Sequence, residues 1–347
     1  MLDFLKPSFY DAYTICMSGP SRVGKTTLIT TMLHDFEKSR SKSFGKRKKQ
    51  LIVEPINDTE FRLNHKHDLI LAGIKSGEFS PEAPGDSEHV IYDLRLKETD
   101  HSSIWNPKNF FHLDIKIHDF PGGWVSNKAK LAEIPYQTSD IFIVPVDAAI
   151  LVEATRANER QSIHTELQIK STSDMVKTWA QAIAVENRVG LCLFVPVKCE
   201  TYYNDNIKID NDREKAAELH SKFKEHYKDL LDHLKNSIKN VECKYFPVDT
   251  IGCCYLSDKK WEPNEHETVS LKARYSIPPQ KNVWAPFGPE EIFLEILTFM
   301  AKTAEKKAGF WAKTFSKFNF VPNFVEGVEF LKFDSDSHCH YKRSQRI

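Results

Sequence analysis

No run of apolar residues in this sequence is long enough to cross a lipid bilayer. The longest, residues 141–152, falls short of the roughly 20 residues that a membrane-spanning helix needs, and it contains Asp147. The first residues, MLDFLKPSFYDAY, also lack the basic segment and following apolar segment of a secretory signal. These two absences predict a cytoplasmic protein rather than a membrane-spanning or secreted one.

Cysteine patterns of metal sites are missing as well. None of the seven cysteines forms a C-x-x-C pair, and the tail string His338-Cys339-His340 has no second ligand cluster with which to build a tetrahedral zinc site. Cys16 and Cys192 lie in apolar, strand-like runs, where a reduced cysteine behaves as a small hydrophobic residue. We therefore expect neither disulfides nor a structural zinc.

Neither sign of charge is in excess. The 48 lysines and arginines are balanced by 48 aspartates and glutamates, so the whole-molecule field does not favour nucleic acid or an anionic membrane as partner. The local basic run Lys46-Arg47-Lys48-Lys49 is interpreted as a solvated loop, with nucleic-acid contact as the alternative. We expect no specific nucleic-acid partner.

A phosphate-binding motif is the strongest pattern present. Residues 19–26, GPSRVGKT, match G-x-x-x-x-G-K-[ST] at every fixed position, between a strand-like run and a helical run. Backbone N–H groups of such a loop wrap a β-phosphate, Lys25 would reach the β- and γ-phosphates, and the Thr26 hydroxyl would ligate Mg²⁺. The residues predicted to hold the phosphates are Gly19, Pro20, Ser21, Arg22, Val23, Gly24, Lys25, Thr26 and Thr27.

A second motif ends the alternating strand pattern of residues 111–118. Asp119-Phe120-Pro121-Gly122 places a carboxylate where many P-loop enzymes hold Mg²⁺. The N–H group of Gly122 would contact the γ-phosphate and sense its hydrolysis. An ordinary Pro-Gly turn is the alternative. We assign metal binding to Thr26 and Asp119, and catalysis to these two residues together with Lys25.

Strand and helix patterns alternate along the chain, which predicts a parallel sheet covered on both faces. Residues 140–147 and 191–195 are nearly all apolar, as in a strand buried on both sides. Helices are predicted at 172–187 and 211–240, the last strand at 245–248, and a final helix from Gly288-Pro289 onward. The predicted fold class is α/β, a P-loop NTPase three-layer sandwich with a mostly parallel sheet and helical insertions.

A third motif follows the phosphate loop and the D-x-x-G segment along the chain, at residues 195–200 with the sequence VPVKCE. The chain resembles GTPases of the translation-factor and Ras-like class, which carry a phosphate loop, D-x-x-G and then N/T-K-x-D. The resemblance implies that Lys198 packs on guanine, that Glu200 accepts hydrogen bonds from it, and that the site holds Mg²⁺ with GTP or GDP. A carboxylate offers two acceptor oxygens to the adjacent donors of guanine. The family's last loop aligns with residues 248–250.

The chain departs from that class at several positions. Val197 stands where the class has Asn or Thr, and Glu200 replaces Asp. Gly123 stands where Ras-like proteins have the glutamine that orients water. The loop at residues 79–85, just before the strand pattern of residues 90–96, holds no threonine that could complete the coordination shell of Mg²⁺. Ser80 and Ser87 are the candidates that remain. The sequence therefore supports nucleotide binding more strongly than fast hydrolysis.

The resemblance extends over about residues 14–304. We predict a GTPase domain at 1–305, with an insertion at about 38–88 and a helical insertion at about 201–240. A C-terminal amphipathic extension and tail would occupy 306–347. The long insertion after the phosphate loop looks like that of the double-GTPase group of bacterial conflict systems.

The C-terminal stretch interleaves lysines with aromatic residues. A helix that closes over the protein's own core is the favoured interpretation, and peripheral contact with an anionic membrane or a partner is the alternative. The residues concerned are Lys302, Lys306, Lys307, Lys313 and Lys317 together with Phe310, Trp311, Phe315, Phe318 and Phe320.

Some polar residues outside the motifs have patterns typical of structural roles. Asp147 is predicted to cap the turn that follows its strand, and His118 to be packed on the sheet face opposite Asp119. Arg156 and Arg160 are predicted to be solvated, an arginine finger being the alternative.

Together the motifs predict a guanine-nucleotide-binding protein that hydrolyses GTP to GDP and phosphate and thereby drives a conformational switch. A protein effector or regulator is the expected partner. Two alternatives stay open, namely an ATP-binding P-loop ATPase or small-molecule kinase, and a nucleotide-binding scaffold with negligible turnover.

Overall fold

The computed structural model describes residues 12–43, 49–79, 88–100, 112–127, 135–203, 213–264, 268–278, 283–314 and 345–346. Its main feature is an eight-stranded sheet with helices on both faces, accompanied by a three-stranded sheet. Ser80, Ser87 and the C-terminal stretch from 315 to 344 lie outside the described residues, so the predictions made for them remain predictions.

Strands and helices alternate as predicted. In chain order the strands are β1 (Tyr13–Met17), β2 (Lys49–Pro55), β3 (Glu78–Phe79), β4 (Val90–Asp100), β5 (His112–Asp119), β6 (Ile141–Asp147), β7 (Gly190–Val197), β8 (Val241–Tyr245), β9 (Tyr255–Pro263), β10 (Val269–Ser276) and β11 (Gln345–Arg346). The α-helices are α1 (Lys25–Ser43), α2 (Thr59–Ser76), α3 (Ala148–Glu153), α4 (Ala157–Glu166), α5 (Ile169–Val185), α6 (Glu200–Tyr203), α7 (Arg213–His226), α8 (Lys228–Ser237) and α9 (Pro289–Thr314).

The main sheet has the order β11-β8-β7-β6-β1-β5-β4-β2. Its five adjacent central strands, from β8 to β5, are all parallel, whereas β11, β4 and β2 are antiparallel to their neighbours. Parallel strands end at the same edge of a sheet, and the segments after β1, β5, β6 and β7 therefore meet there. This edge brings the three sequence motifs together.

Two cores cover the two faces of the main sheet. On one face α1 and α9 pack through apolar residues such as Leu28, Met32 and Ile296. On the other, α3, α5, α7 and α8 contribute residues such as Trp179 and Phe223. β6 is buried along its whole length, as a central parallel strand should be. The predicted α/β three-layer sandwich of the P-loop NTPase type is confirmed.

A three-stranded antiparallel sheet, with the order β3-β10-β9, was not predicted. Its strands β9 and β10 form a hairpin between β8 and α9, and a third, smaller core beneath it includes Ile70 of α2, Tyr275 and Trp284. About a third of the hairpin positions are polar and exposed, so the apolar signal of a strand is weak there.

The structure corrects one predicted helix and one predicted strand. The single helix predicted at 211–240 is two helices, because the backbone at Tyr227 (φ −100°, ψ 10°) leaves the helical range between α7 and α8. The strand predicted at 245–248 is β8, which lies earlier and is only half-buried because it is near the sheet edge. The chain at Phe246 and Val248 still donates backbone hydrogen bonds to β7. β8 is also not the last strand.

α1 continues to Ser43 and β2 begins at Lys49, so the last residue of the basic run interpreted as a solvated loop starts a strand, while Lys46, Arg47 and Lys48 lie outside the described residues. α9 runs without interruption across residues 305 and 306, where the predicted domain meets the predicted extension. No helix in the described ranges has the length and apolarity needed to span a bilayer.

Candidate functional site

The phosphate loop joins β1 to α1 in a conformation that needs a glycine. Gly24 has φ 105°, in the left-handed region that residues with a Cβ avoid, and Arg22 (φ 65°) also lies there. The first turn of α1 follows at once, and the first N–H groups of a helix have no partner within it. The loop and helix start thus present donors and the positive end of a helix dipole, which suits a phosphate.

Lys25 is folded back over this loop. Its ammonium group donates hydrogen bonds to the carbonyl oxygens of Gly19 (3.0 Å) and Pro20 (3.1 Å), and its side chain is buried. These contacts hold a positive charge within the curve of the loop, where phosphate oxygens would be bound. The geometry is compatible with the role that the motif predicts for Lys25.

Asp119 and Thr26 meet at the sheet edge. The Thr26 hydroxyl donates a hydrogen bond of 2.7 Å to Oδ2 of Asp119, across 93 positions of sequence. Asp119 ends β5, the parallel neighbour of β1, and this pairing explains why the two side chains coincide. A hydroxyl and a carboxylate are the hard oxygen ligands that Mg²⁺ prefers, so the donor set fits that ion.

Gly122 lies directly against the phosphate loop. A Cβ atom added there would be 2.0 Å from the Ser21 nitrogen and 2.3 Å from the Pro20 carbonyl carbon. At Gly123, by contrast, no atom lies within 4 Å of an added Cβ. The backbone of the D-x-x-G segment therefore touches the loop at the one position where a side chain does not fit.

Lys198 links the third motif to the same loop. It follows β7 with φ 61°, donates a hydrogen bond to the carbonyl oxygen of Arg22 (3.1 Å), and forms an ion pair with Asp147. Asp147 also accepts hydrogen bonds from the N–H groups of Ala149 (3.0 Å) and Ile150 (3.4 Å) at the start of α3. The predicted cap is thus observed. The additional ion pair was missed, because the sequence does not show that β6 and β7 end side by side.

Glu200 starts α6, and its buried side chain contacts the loop that follows β8. Its Oε1 accepts hydrogen bonds from the N–H groups of Ile251 (2.8 Å) and Gly252 (3.3 Å). Oε2 is buried and makes no hydrogen bond with any described residue. Burial raises the pKa of the Glu200 carboxyl above its ordinary value, although the two amides act in the opposite direction. The structure thus brings residues 248–252 beside the third motif.

Glu153 was not singled out in the sequence, yet it joins the site to the second sheet. It is buried, accepts a hydrogen bond from the Tyr202 hydroxyl (3.0 Å), and pairs with Lys215 (3.2 Å) and Lys259. Burial acts to raise the pKa of Glu153, but the hydrogen bond and charge of Lys259 and the charge of Lys215 outweigh it, so that this pKa is lowered. Nearby, the Leu256 N–H group donates to the Thr201 hydroxyl (2.8 Å).

His118 lies next to Asp119 but is packed inside the fold. Its Nδ1 shares a hydrogen bond of 2.9 Å with Nε2 of His89, and the two rings stack at 5.0 Å. Burial, assisted by the charge of His89, lowers the pKa of His118 to about 4.

Arg156 and Arg160 lie at the start of α4 and are exposed. In the described ranges no three His, Cys, Asp or Glu residues are grouped to hold a metal ion.

Comparisons with known proteins add little to this geometry. No family model matches the sequence, and no curated protein matches it. A solved structure, the signal recognition particle receptor SRb-GTP/SRX complex from Chaetomium thermophilum, is similar with 13% identity and a TM-score of 0.34. The match covers 70% of this chain and 92% of that chain. A TM-score this low transfers no function, so the functional argument depends on the site residues themselves.

Proposed function

We propose that the protein binds a guanine nucleotide with Mg²⁺ and hydrolyses GTP to GDP and phosphate, which drives a conformational switch. The convergence of three distant segments on one loop carries this proposal. Thr26 meets Asp119, Gly122 touches Ser21, and Lys198 binds the Arg22 carbonyl oxygen.

Each residue would have a distinct role. The loop N–H groups and Lys25 would bind the phosphates and neutralise their charge, with Thr26 and Asp119 as the residues that hold Mg²⁺. The ion would supply charge stabilisation at the phosphoryl oxygens. The close approach of Gly122 to the loop supports the role proposed for its N–H group, which would contact the γ-phosphate. Catalysis would depend mainly on positioning and charge, with water as the nucleophile.

The base-reading role of Lys198 and Glu200 belongs to the same proposal. Oε1 of Glu200 is engaged by backbone amides and Oε2 is buried, so a contact with the N1–H and N2–H donors of guanine would require the Glu200 carboxylate to become exposed. The Lys198 ammonium group, which contacts the Arg22 carbonyl oxygen and Asp147, lies at the rim of the loop.

Nucleotide preference is the deciding experiment. Titrations with mant-GTP and mant-ATP should show tighter binding of the guanine nucleotide, and Lys25→Ala should weaken both by roughly a hundredfold through loss of charge-assisted hydrogen bonds. A preference for mant-ATP contradicts the guanine assignment and supports the ATPase or kinase alternative.

Glu200→Gln tests the base contact separately. An amide oxygen can still accept from the Ile251 and Gly252 amides, while the amide nitrogen replaces the acceptor Oε2 with a donor. We expect an intact fold, shown by an unchanged melting temperature, and mant-GTP affinity reduced about tenfold or more. Unchanged affinity would limit Glu200 to a structural role.

A second candidate function, a nucleotide-binding scaffold with negligible turnover, is favoured by Gly123. Phosphate release by the wild type at the rate of Lys25→Ala would support it. Because space is open at Gly123, Gly123→Gln should fit, and a raised release rate would show that water positioning limits turnover.

The wider context follows from the same proposal. We place the protein in the cytoplasm, with a protein effector or regulator as partner. Membership of the double-GTPase group of bacterial conflict systems stays a hypothesis based on layout.

A further inference from the structure

Two residues with long side chains have unusual backbone conformations where the third motif meets the phosphate loop. Arg22 (φ 65°) and Lys198 (φ 61°) both lie in the left-handed region, which residues with a Cβ disfavour. They are in contact, since the Lys198 ammonium group donates a hydrogen bond of 3.1 Å to the Arg22 carbonyl oxygen. Such a conformation persists only where surrounding contacts hold it. The contacts of Lys198 therefore help to fix the shape of the loop.

Asp147 is the carboxylate that holds Lys198 in place. Its Oδ2 forms the ion pair with the Lys198 ammonium group, and the two side chains are only 9% and 17% exposed. An ion pair so largely removed from water is screened little by salt. One side chain at the end of β6 thus keeps the ammonium group of Lys198 against the Arg22 carbonyl oxygen of the phosphate loop.

Asp147 is itself fixed from two directions. It ends β6, which is paired with β7 up to this last residue. Its Oδ1 accepts hydrogen bonds from the N–H groups of Ala149 (3.0 Å) and Ile150 (3.4 Å) at the start of α3. At the other end of α3, Glu153 is anchored by two lysines and a tyrosine. Because α3 is held at both ends, it presents the second oxygen of Asp147 to Lys198 in one orientation.

We propose that Asp147 is a positioning residue that sets how long a bound nucleotide stays on the protein. It would act through Lys198, because without the carboxylate the ammonium group can leave the Arg22 carbonyl oxygen and the loop can open. The ion pair does not include Glu200, the residue proposed to read the base, so the effect should be the same for guanine and adenine nucleotides. The inference rests on the proposed binding of a nucleotide at the phosphate loop, but not on which base that nucleotide carries.

Release of mant-GDP into an excess of unlabelled GDP tests the proposal. Asp147→Asn keeps an oxygen for the N–H groups of α3 but has no charge for Lys198, and its release should be faster by about tenfold or more. Titrations with mant-GTP and mant-ATP should show the same ratio of affinities as in the wild type. Glu200→Gln is expected to change that ratio, which separates positioning from base recognition.

A double variant tests whether Asp147 acts through Lys198. Lys198→Met should also release mant-GDP faster, and adding Asp147→Asn to it should change little, because the two substitutions remove the same contact. Lys198→Arg can still donate to Asp147 and to the Arg22 carbonyl oxygen, so it should release more slowly than Lys198→Met. Asp114→Asn is the matched control, since it breaks the pair with Arg95 (2.8 Å) on β4 and β5 and should keep the release rate of the wild type.

Hydrogen exchange of the nucleotide-free protein provides a readout that needs no ligand. The backbone N–H groups of residues 19–24 should exchange faster in Asp147→Asn than in the wild type, because the loop has lost the contact that holds it closed. Asp114→Asn should exchange in this segment like the wild type.

The proposal is overturned if Asp147→Asn releases mant-GDP and exchanges its loop as slowly as the wild type. It is also overturned if the effects of Asp147→Asn and Lys198→Met simply add, or if Asp114→Asn accelerates release equally. A changed ratio of mant-GTP to mant-ATP affinity would assign Asp147 to base recognition instead. In each of these cases the proposed nucleotide binding stands, whereas a wild type that binds neither nucleotide contradicts both proposals.

Discussion

Gly122 and Gly123 are neighbours with opposite steric requirements. A Cβ atom at Gly122 would meet the backbone of Ser21 at 2.0 Å, whereas one at Gly123 meets nothing within 4 Å. Backbone atoms cannot move aside as the end of a flexible side chain can. The contact therefore makes the D-x-x-G turn and the phosphate loop sterically dependent on each other.

Gly122→Ala should separate these two segments. We expect the free energy of unfolding to fall by roughly 1–3 kcal/mol, as for overpacked sites, and mant-GTP affinity to fall with it. Gly123→Ala, one residue away, is the control and should leave thermal denaturation unchanged. Equal effects of the two substitutions would contradict the steric argument.

The ion pair between Lys198 and Asp147 allows a second test at this scale. Lys198→Met keeps an apolar stem but removes the ammonium group that binds Asp147 and the Arg22 carbonyl oxygen. We expect a loss of roughly 1–3 kcal/mol in stability, as for hydrogen bonds to charged groups.

Asp147→Asn is the partner variant, since its amide oxygen can still cap α3. A double-mutant cycle measured by urea denaturation should show coupling between Lys198 and Asp147. Additive losses would mean that the pair contributes nothing to the fold.

At the scale of elements, the second sheet is attached to the main domain through the buried carboxylate of Glu153. This group pairs with Lys215 of α7 and Lys259 of β9, while Tyr202 of α6 donates a hydrogen bond to it. One side chain thus contacts three elements that are remote in sequence.

Glu153→Gln should loosen this attachment in a pH-dependent way. The pKa of Glu153 in the folded protein is lowered from its ordinary value of 4.5, so its contribution is complete above that value and is lost as the pH falls through the folded pKa. At neutral pH we expect the variant to be less stable by roughly 2 kcal/mol.

Urea denaturation of both proteins at neutral and acid pH measures this difference. The gap between wild type and variant should narrow in acid. A gap that is independent of pH would exclude a contribution from the charge of Glu153.

Elements with strong apolar patterns could be predicted from the sequence, and those with mixed patterns could not. β6 is an apolar run that is buried throughout, and β1 is the apolar run directly before the phosphate loop. Both strands were therefore predicted at their observed positions. β9 and β10 mix charged and polar residues with apolar ones without a strong apolar run, and they form strands by pairing with each other. The break at Tyr227 is hidden because α7 and α8 keep the same apolar side.

The candidate site shows the same division. The motifs identify Lys25, Thr26 and Asp119, because fixed spacing and chemistry are visible in one dimension. The partners Asp147 and Glu153 depend on which strands and helices are neighbours. The spacing of residues within a motif does not show which strands are adjacent, since β6 and β7 become neighbours only through the strand order of the sheet.

At the scale of the whole molecule, α1 and α9 connect the two ends. Both start at the phosphate-loop edge of the sheet and run along one of its faces to its amino edge, so this helical layer connects the proposed nucleotide site to the opposite end of the sheet.

Nucleotide binding should stabilise the whole chain. GTP with Mg²⁺ at about one hundred times its Kd should add about 2.7 kcal/mol to the free energy of unfolding and raise the melting temperature. Differential scanning calorimetry measures this shift. Lys25→Ala, which is expected to bind GTP about a hundredfold more weakly, should gain only about 0.4 kcal/mol at the same concentration, and ATP should have a smaller effect than GTP.

The position of β1 in the centre of the sheet has a consequence for protein synthesis. β1 and the phosphate loop are translated before β5 and β6, the strands that flank β1, which follow roughly a hundred residues later. Lys198 and the amides of Ile251 and Gly252 emerge later still. A nascent chain thus carries its phosphate-binding motif without the contacts that shape it until the segments after β5 and β7 have been translated.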